Sequence, residues 1–217
     1  MEKDRHVRGT KIMNLSLKQY RAIDLGLMLF IVAAAEALIA HAARFWFPEE
    51  IYVLSPTLAM VCIVMMRWGR YAVLHAVGGS LAMCIALGAE PKQYAVYCIG
   101  TCLSLTALLF FRKLKKSEVR NSPKLTLLFA LTAYITAQLG RWLVGLLMGG
   151  SPKDIVQLFA TDSLTLLFTL VAVNLARKID GLFEDQIDYL VRTQAERQKS
   201  GMPDQGDTEY GESTGSF

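Results

Sequence analysis

Six apolar runs, each reaching or approaching the ~20 residues that cross a bilayer as a helix, alternate with short polar joints. The pattern predicts spans at about 22–45, 51–67, 71–88, 93–111, 125–149 and 154–176. Parts of these runs, such as 103–111 and 164–173, are apolar around most of a helix, where a soluble helix keeps a polar face. The expected fold class is all-α, a polytopic six-transmembrane-helix bundle occupying 22–178. Chain breakers sit between the runs: Pro48 after Phe45-Trp46-Phe47, Pro91 after Gly88, and Pro152 after Gly149-Gly150.

The joints differ in charge. Lys and Arg crowd the lead-in 1–21, the joint 67–70, the joint 112–124 and the exit at Arg177-Lys178, while Glu49, Glu50, Glu90, Lys92, Lys153 and Asp154 mark the alternate joints. Basic joints stay on the cytoplasmic side, so both termini are expected there, in a multi-pass protein of a bacterial cell membrane. Beyond the last run, apolar residues at 182, 183, 187, 190 and 191 follow a helical period, which predicts a cytoplasmic amphipathic helix over 179–199. Residues 200–217 are rich in Gly, Ser and acids and are expected to be disordered.

Composition narrows the classes further. Of 217 residues, 53% are hydrophobic and 19% charged, and the formal charge of +4 resides in the joints, so it signals topology and not nucleic acid. The first ~20 residues are polar and basic, unlike a cleavable signal peptide. Cys62, Cys84, Cys98 and Cys102 all fall in apolar runs, where free Cys behaves as a small hydrophobe. Neither a metal-ligand motif nor a Walker, His-Glu-x-x-His or Gly-x-Ser-x-Gly sequence is present, so no enzyme, cofactor or metal is expected.

Three ionisable residues lie deep inside the runs at a common level: Glu36, Arg141 and Asp162. Each is about 12–14 Å along a helix axis from the outer end of its span. Burying a charge at such depth costs about 2.5–3.5 kcal/mol on insertion scales unless it is paired or wetted. A short outer loop joins the fifth and sixth spans, so Arg141 and Asp162 should meet as an ion pair. If Glu36 joins them, the three form the floor of a polar, outward-facing site. Tyr134, Gln138, Thr161 and Ser163 lie at neighbouring positions as further ligand-binding candidates, with His41, Ser55 and Thr57 nearby. His75, towards the inner side, reads as a hydrogen-bonded interior residue.

The layout resembles the substrate-binding S components of energy-coupling-factor transporters. Ala33-x-x-x-Ala37 matches the spacing by which that family docks, and Phe45-Trp46-Phe47 with Tyr52 lie where its covering loop would be. The resemblance implies a vitamin-like or other small polar ligand held in the outer half, with Trp46 and Tyr52 closing over it. It also implies docking through Ala33 and Ala37 on a transmembrane T subunit driven by two ATPases. The basic lead-in and the long C-terminal helix depart from the family's short tails, and no Met-His metal-binding start is present. The alternative is a non-catalytic cell-envelope scaffold whose intramembrane charges only fix helix packing. A cavity lined by Glu36, Arg141 and Asp162 would favour the first reading, and a sealed cluster the second.

Overall fold

The structure is a computed structural model and describes residues 17–46 and 54–201. Tyr52, most of the lead-in and the tail beyond Gly201 lie outside these residues. Every regular element among the described residues is helical. These elements are α1 (Leu17–Trp46), α2 (Thr57–Trp68), α3 (Val73–Leu87), α4 (Pro91–Gly100), α5 (Lys116–Asn121), α6 (Pro123–Leu147), α7 (Asp154–Thr161), α8 (Ser163–Ala176) and α9 (Gln186–Gly201). Two 3₁₀ segments, Gly69–Ala72 and Thr101–Arg112, continue α2 and α4.

Four stretches are long and apolar enough to cross a membrane: Leu17–Trp46, Thr57–Leu87, Pro91–Arg112 and Pro123–Leu147. The pair α7–α8, bent by 48° at Asp162, makes a fifth if taken as one broken span. The second stretch is not one rod. A Cβ added to Gly79 would lie 3.1 Å from the Cβ of Thr57, whereas a straight helix would hold those positions about 33 Å apart. The chain therefore folds back at Gly69, whose φ of +60° is costly for any other residue.

Successive elements alternate in direction. Against α1, Asp24 meets Arg67 and Glu36 meets Thr57, so α2 runs antiparallel to it. Against α3, Ser80 meets Thr101 while Cys84 lies by Gln93. Phe129 of α6 packs on Phe110 and Phe111 at one end, and Arg141 reaches Thr101 further along. Gln138 then meets Asp162 across the next turn.

Local sequence sets these ends. Gly88 closes α3 in the left-handed region at φ +63°. Glu90, Pro91 and Gln93 open α4 as a capping box with proline in the first turn. Ser122 caps α6 ahead of Pro123, its side chain accepting from the Leu125 N–H. The main apolar core fills the end of the bundle near Leu25, Val64, Phe129 and Val173, and a smaller cluster around Leu58, Tyr134 and Ala137 fills the other half.

Three expectations are corrected here. The first helix begins at Leu17, inside the expected lead-in, and the second begins at Thr57. The sixth run is broken at Asp162 and is not one straight helix. The C-terminal stripe is not continuous either, because Gly181 takes φ +73° and regular helix starts only at Gln186. Phe183 instead inserts fully into the main core, and Leu182 packs against it.

Candidate functional site

Arg141 owes its position to two glycines. A Cβ on Gly100 would approach the Cα of Arg141 to 2.5 Å, and one on Gly140 would come within 2.8 Å of the Cβ of Leu103. Only bare backbone lets α6 and the 3₁₀ segment touch this closely. The contact sets Arg141 against Thr101, whose hydroxyl accepts from Nε at 3.1 Å and also meets the Ser80 hydroxyl at 3.3 Å.

Asp162 comes from the other side, at the break between α7 and α8. Its Oδ2 accepts from Arg141 Nη1 and, at 2.6 Å, from Gln138 Nε2. The Tyr134 hydroxyl donates to the Asp162 carbonyl at 3.4 Å. Arg141 and Asp162 are each 3% exposed, so the expected pair is present and buried. The guanidinium also stacks over Tyr97, 4.8 Å from the ring centroid, which adds a favourable cation–π contact to the pair.

Glu36 takes a different role. It is 1% exposed and no ion pair reaches it among the described residues. Its Oε1 accepts from the Ser55 hydroxyl, from the Thr57 hydroxyl at 2.6 Å and from the Thr57 backbone N–H at 3.1 Å. Glu36 thus caps the N-terminus of α2 from the neighbouring helix, where a negative charge is favoured by the helix dipole. Ser55 ties this cap to α8, donating its N–H to Thr165 Oγ1 at 3.0 Å. Glu36 and Arg141 belong to one polar layer without touching.

A cleft of about 390 Å³ opens beside this layer between α4, α6 and α7. Arg141 forms part of its wall with Gln93, Tyr97, Trp142, Gln157 and Thr161. Neither Glu36 nor Asp162 lines it, so the three-residue floor expected from the sequence is not what the structure builds. Of the three ionisable residues only Arg141 lines the cleft, and its Nη2 makes no hydrogen bond to a described residue.

The remaining candidates divide. Tyr134 and Gln138 are buried behind Asp162, and Gln138 Oε1 has no donor among the described residues. Thr161 lines the cleft, whereas Ser163 is exposed on the outer surface of α8. Trp46 is 67% exposed at the end of α1, and His41 is exposed too. Ala33 is half-buried and Ala37 exposed, so their face points out of the bundle. His75 is fully buried, with the backbone of Leu25 as the polar neighbour of its ring.

Sequence reading missed Thr101, Tyr97 and Thr165, which are single polar residues in apolar runs and carry no charge to mark them. It also missed Asp24, whose carboxylate accepts from Arg67 at 2.7 Å and from the Trp68 indole at 2.5 Å near the other end of the bundle. That signal was available: an acid inside the first run, facing a basic joint. Compared with family models, curated proteins and solved structures, the chain matches none.

Proposed function

We propose that this chain crosses the membrane six times with both termini in the cytoplasm. In this reading it captures a small polar solute in the cleft between α4, α6 and α7, as a transport subunit of the S-component kind. The single observation that carries the reading is Arg141, a buried guanidinium that forms part of the wall of a ligand-sized cleft and whose Nη2 makes no hydrogen bond to a described residue. The helix break at Asp162 supports it, since interrupted helices within a bundle are where transporters place their sites.

Arg141 would take a carboxylate or phosphate of the solute, with Gln93, Gln157 and Thr161 offering further hydrogen bonds and Tyr97 and Trp142 flat apolar faces. Asp162, Gln138 and Tyr134 would hold the guanidinium in place from behind. No catalytic step is assigned. Transport would draw its energy from a T subunit and two ATPases, docked on the outward face of Ala33 and Ala37.

The scaffold reading is favoured by one fact, that Glu36 and Asp162 are enclosed in hydrogen bonds away from the cleft. Native mass spectrometry of gently purified protein separates the two. A transport subunit should release a bound small molecule and carry ATPase subunits, and the bound molecule should vanish in Arg141→Met with Asp162→Leu while the fold persists. A wild type that carries neither solute nor ATPase partners would leave the scaffold reading standing.

A further inference from the structure

A second and larger pocket, about 670 Å³, lies at the opposite end of the bundle, where α5, the end of α8 and α9 converge. Arg120, Arg177, Lys178 and Arg192 line it together with the acids Asp180 and Glu196, and Asn121, Tyr189 and Thr193 add neutral donors. Two of the cations are committed. Arg120 donates to Glu184 and, at 2.9 Å, to Asp180, while Arg192 reaches the same two acids at 3.2–3.3 Å. The other two are not. Arg177 donates to the neutral Asn174 side chain at 2.8 Å and to the Arg120 carbonyl at 3.5 Å, and neither Arg177 nor Lys178 forms an ion pair among the described residues.

The location narrows the ligand. Arg177 and Lys178 follow directly on the last turn of α8, between Leu175 and Ile179, each 54% exposed. These cations therefore stand at the margin of the apolar surface, at the level where a bilayer places its headgroups. A guanidinium and an ammonium that line one pocket with amide and phenol donors match the several oxygens of a phosphate.

We propose that this pocket binds a phosphate group, supplied by an anionic lipid headgroup or by a soluble phosphorylated compound. The site does not depend on what the outer cleft holds. The test uses the full-length protein in nanodiscs of phosphatidylcholine with or without phosphatidylglycerol, with retained lipid read by native mass spectrometry. Wild type should retain phosphatidylglycerol preferentially, and the preference should fall by roughly fivefold for each cation removed in Arg177→Gln with Lys178→Gln. Lys178→Glu serves if that double variant does not fold, because the Lys178 side chain is exposed.

If both lipids are held alike but inorganic phosphate raises the melting temperature of wild type and not of the variants, the source is a soluble phosphate compound. Indifference to both lipid and phosphate overturns the proposal. So does a phosphatidylglycerol preference that survives the substitutions. Loss of solute from the outer cleft would not register in either readout, so the two proposals fail separately.

Discussion

Arg141 and Asp162 show how far a single pair of letters can be read. Their positions either side of a short joint predicted an ion pair at matched depth, and the structure has one, enclosed by Gln138 and Thr101. Arg141→Ala should cost about 3–5 kcal/mol by stranding the Asp162 carboxylate, whereas Arg141→Met with Asp162→Leu should recover most of that loss. Thermal unfolding in detergent measures both, and an unchanged midpoint in Arg141→Ala would contradict burial of the pair. Glu36 was legible as buried but not as a cap, because its partners Ser55 and Thr57 are near only after the chain turns back. Replacing it with Ala should cost about 0.5–2 kcal/mol, the range for a lost helix cap, and Glu36→Gln less, because an oxygen acceptor remains. A loss as large as that of Arg141→Ala would mean that Glu36 belongs to the ion pair after all.

Among the elements, the segment between α8 and α9 departs most from its sequence signal. A helical period at 182, 183 and 187 competes with Gly181, and the glycine prevails because Arg67 donates to the Gly181 carbonyl while Glu184 Oε1 accepts from the Gly181 N–H at 2.9 Å. The buried Gln186 amide donates to the same carbonyl at 2.8 Å. The result is a strap across one end of the bundle, anchored by Phe183 in the core. Phe183→Ala should destabilise this end by about 3–5 kcal/mol and free α9 first, which hydrogen exchange of the α9 amides would show. The strap should also respond to acid. A hydrogen bond from Arg120, reinforced by the charge of Arg192, holds the Asp180 carboxyl below its ordinary value of 3.8. A lowered folded-state value means that its contribution is complete above that ordinary value and disappears as pH falls through the folded one. Exchange in α9 should therefore quicken only below about pH 4. Asp180→Asn should remove this acid response and leave the exchange of α6 unchanged.

On the scale of the molecule, the apolar runs announced an all-helical architecture, because a run's length and composition act locally, and four stretches, or five with the bent pair, are long and apolar enough to cross a membrane. What they could not carry was where runs bend. Gly79 against Thr57 and Gly100 against Arg141 are pairings between distant residues, and nothing in either short stretch announces the other. The contacts place the start of α1 beside the start of α9, since Tyr20 donates to Gln186 at 3.3 Å. With the alternating directions of α1, α2, α3, α4, α6 and α8, this makes opposite sides of the membrane the natural places for the α6–α7 turn and the α5 joint. An impermeant thiol reagent applied to intact cells, on a cysteine-free background, should then label Lys153→Cys and leave Ser117→Cys unlabelled until the cells are opened. The two glycine contacts add a constraint on that geometry. Gly140→Val would drive its side chain into backbone instead of a yielding side chain, so it should cost about 1–3 kcal/mol and pull Arg141 away from Thr101. If Lys153→Cys and Ser117→Cys instead label together, the turn and the joint share one side, and the cleft at Arg141 could not serve as an outward-facing site.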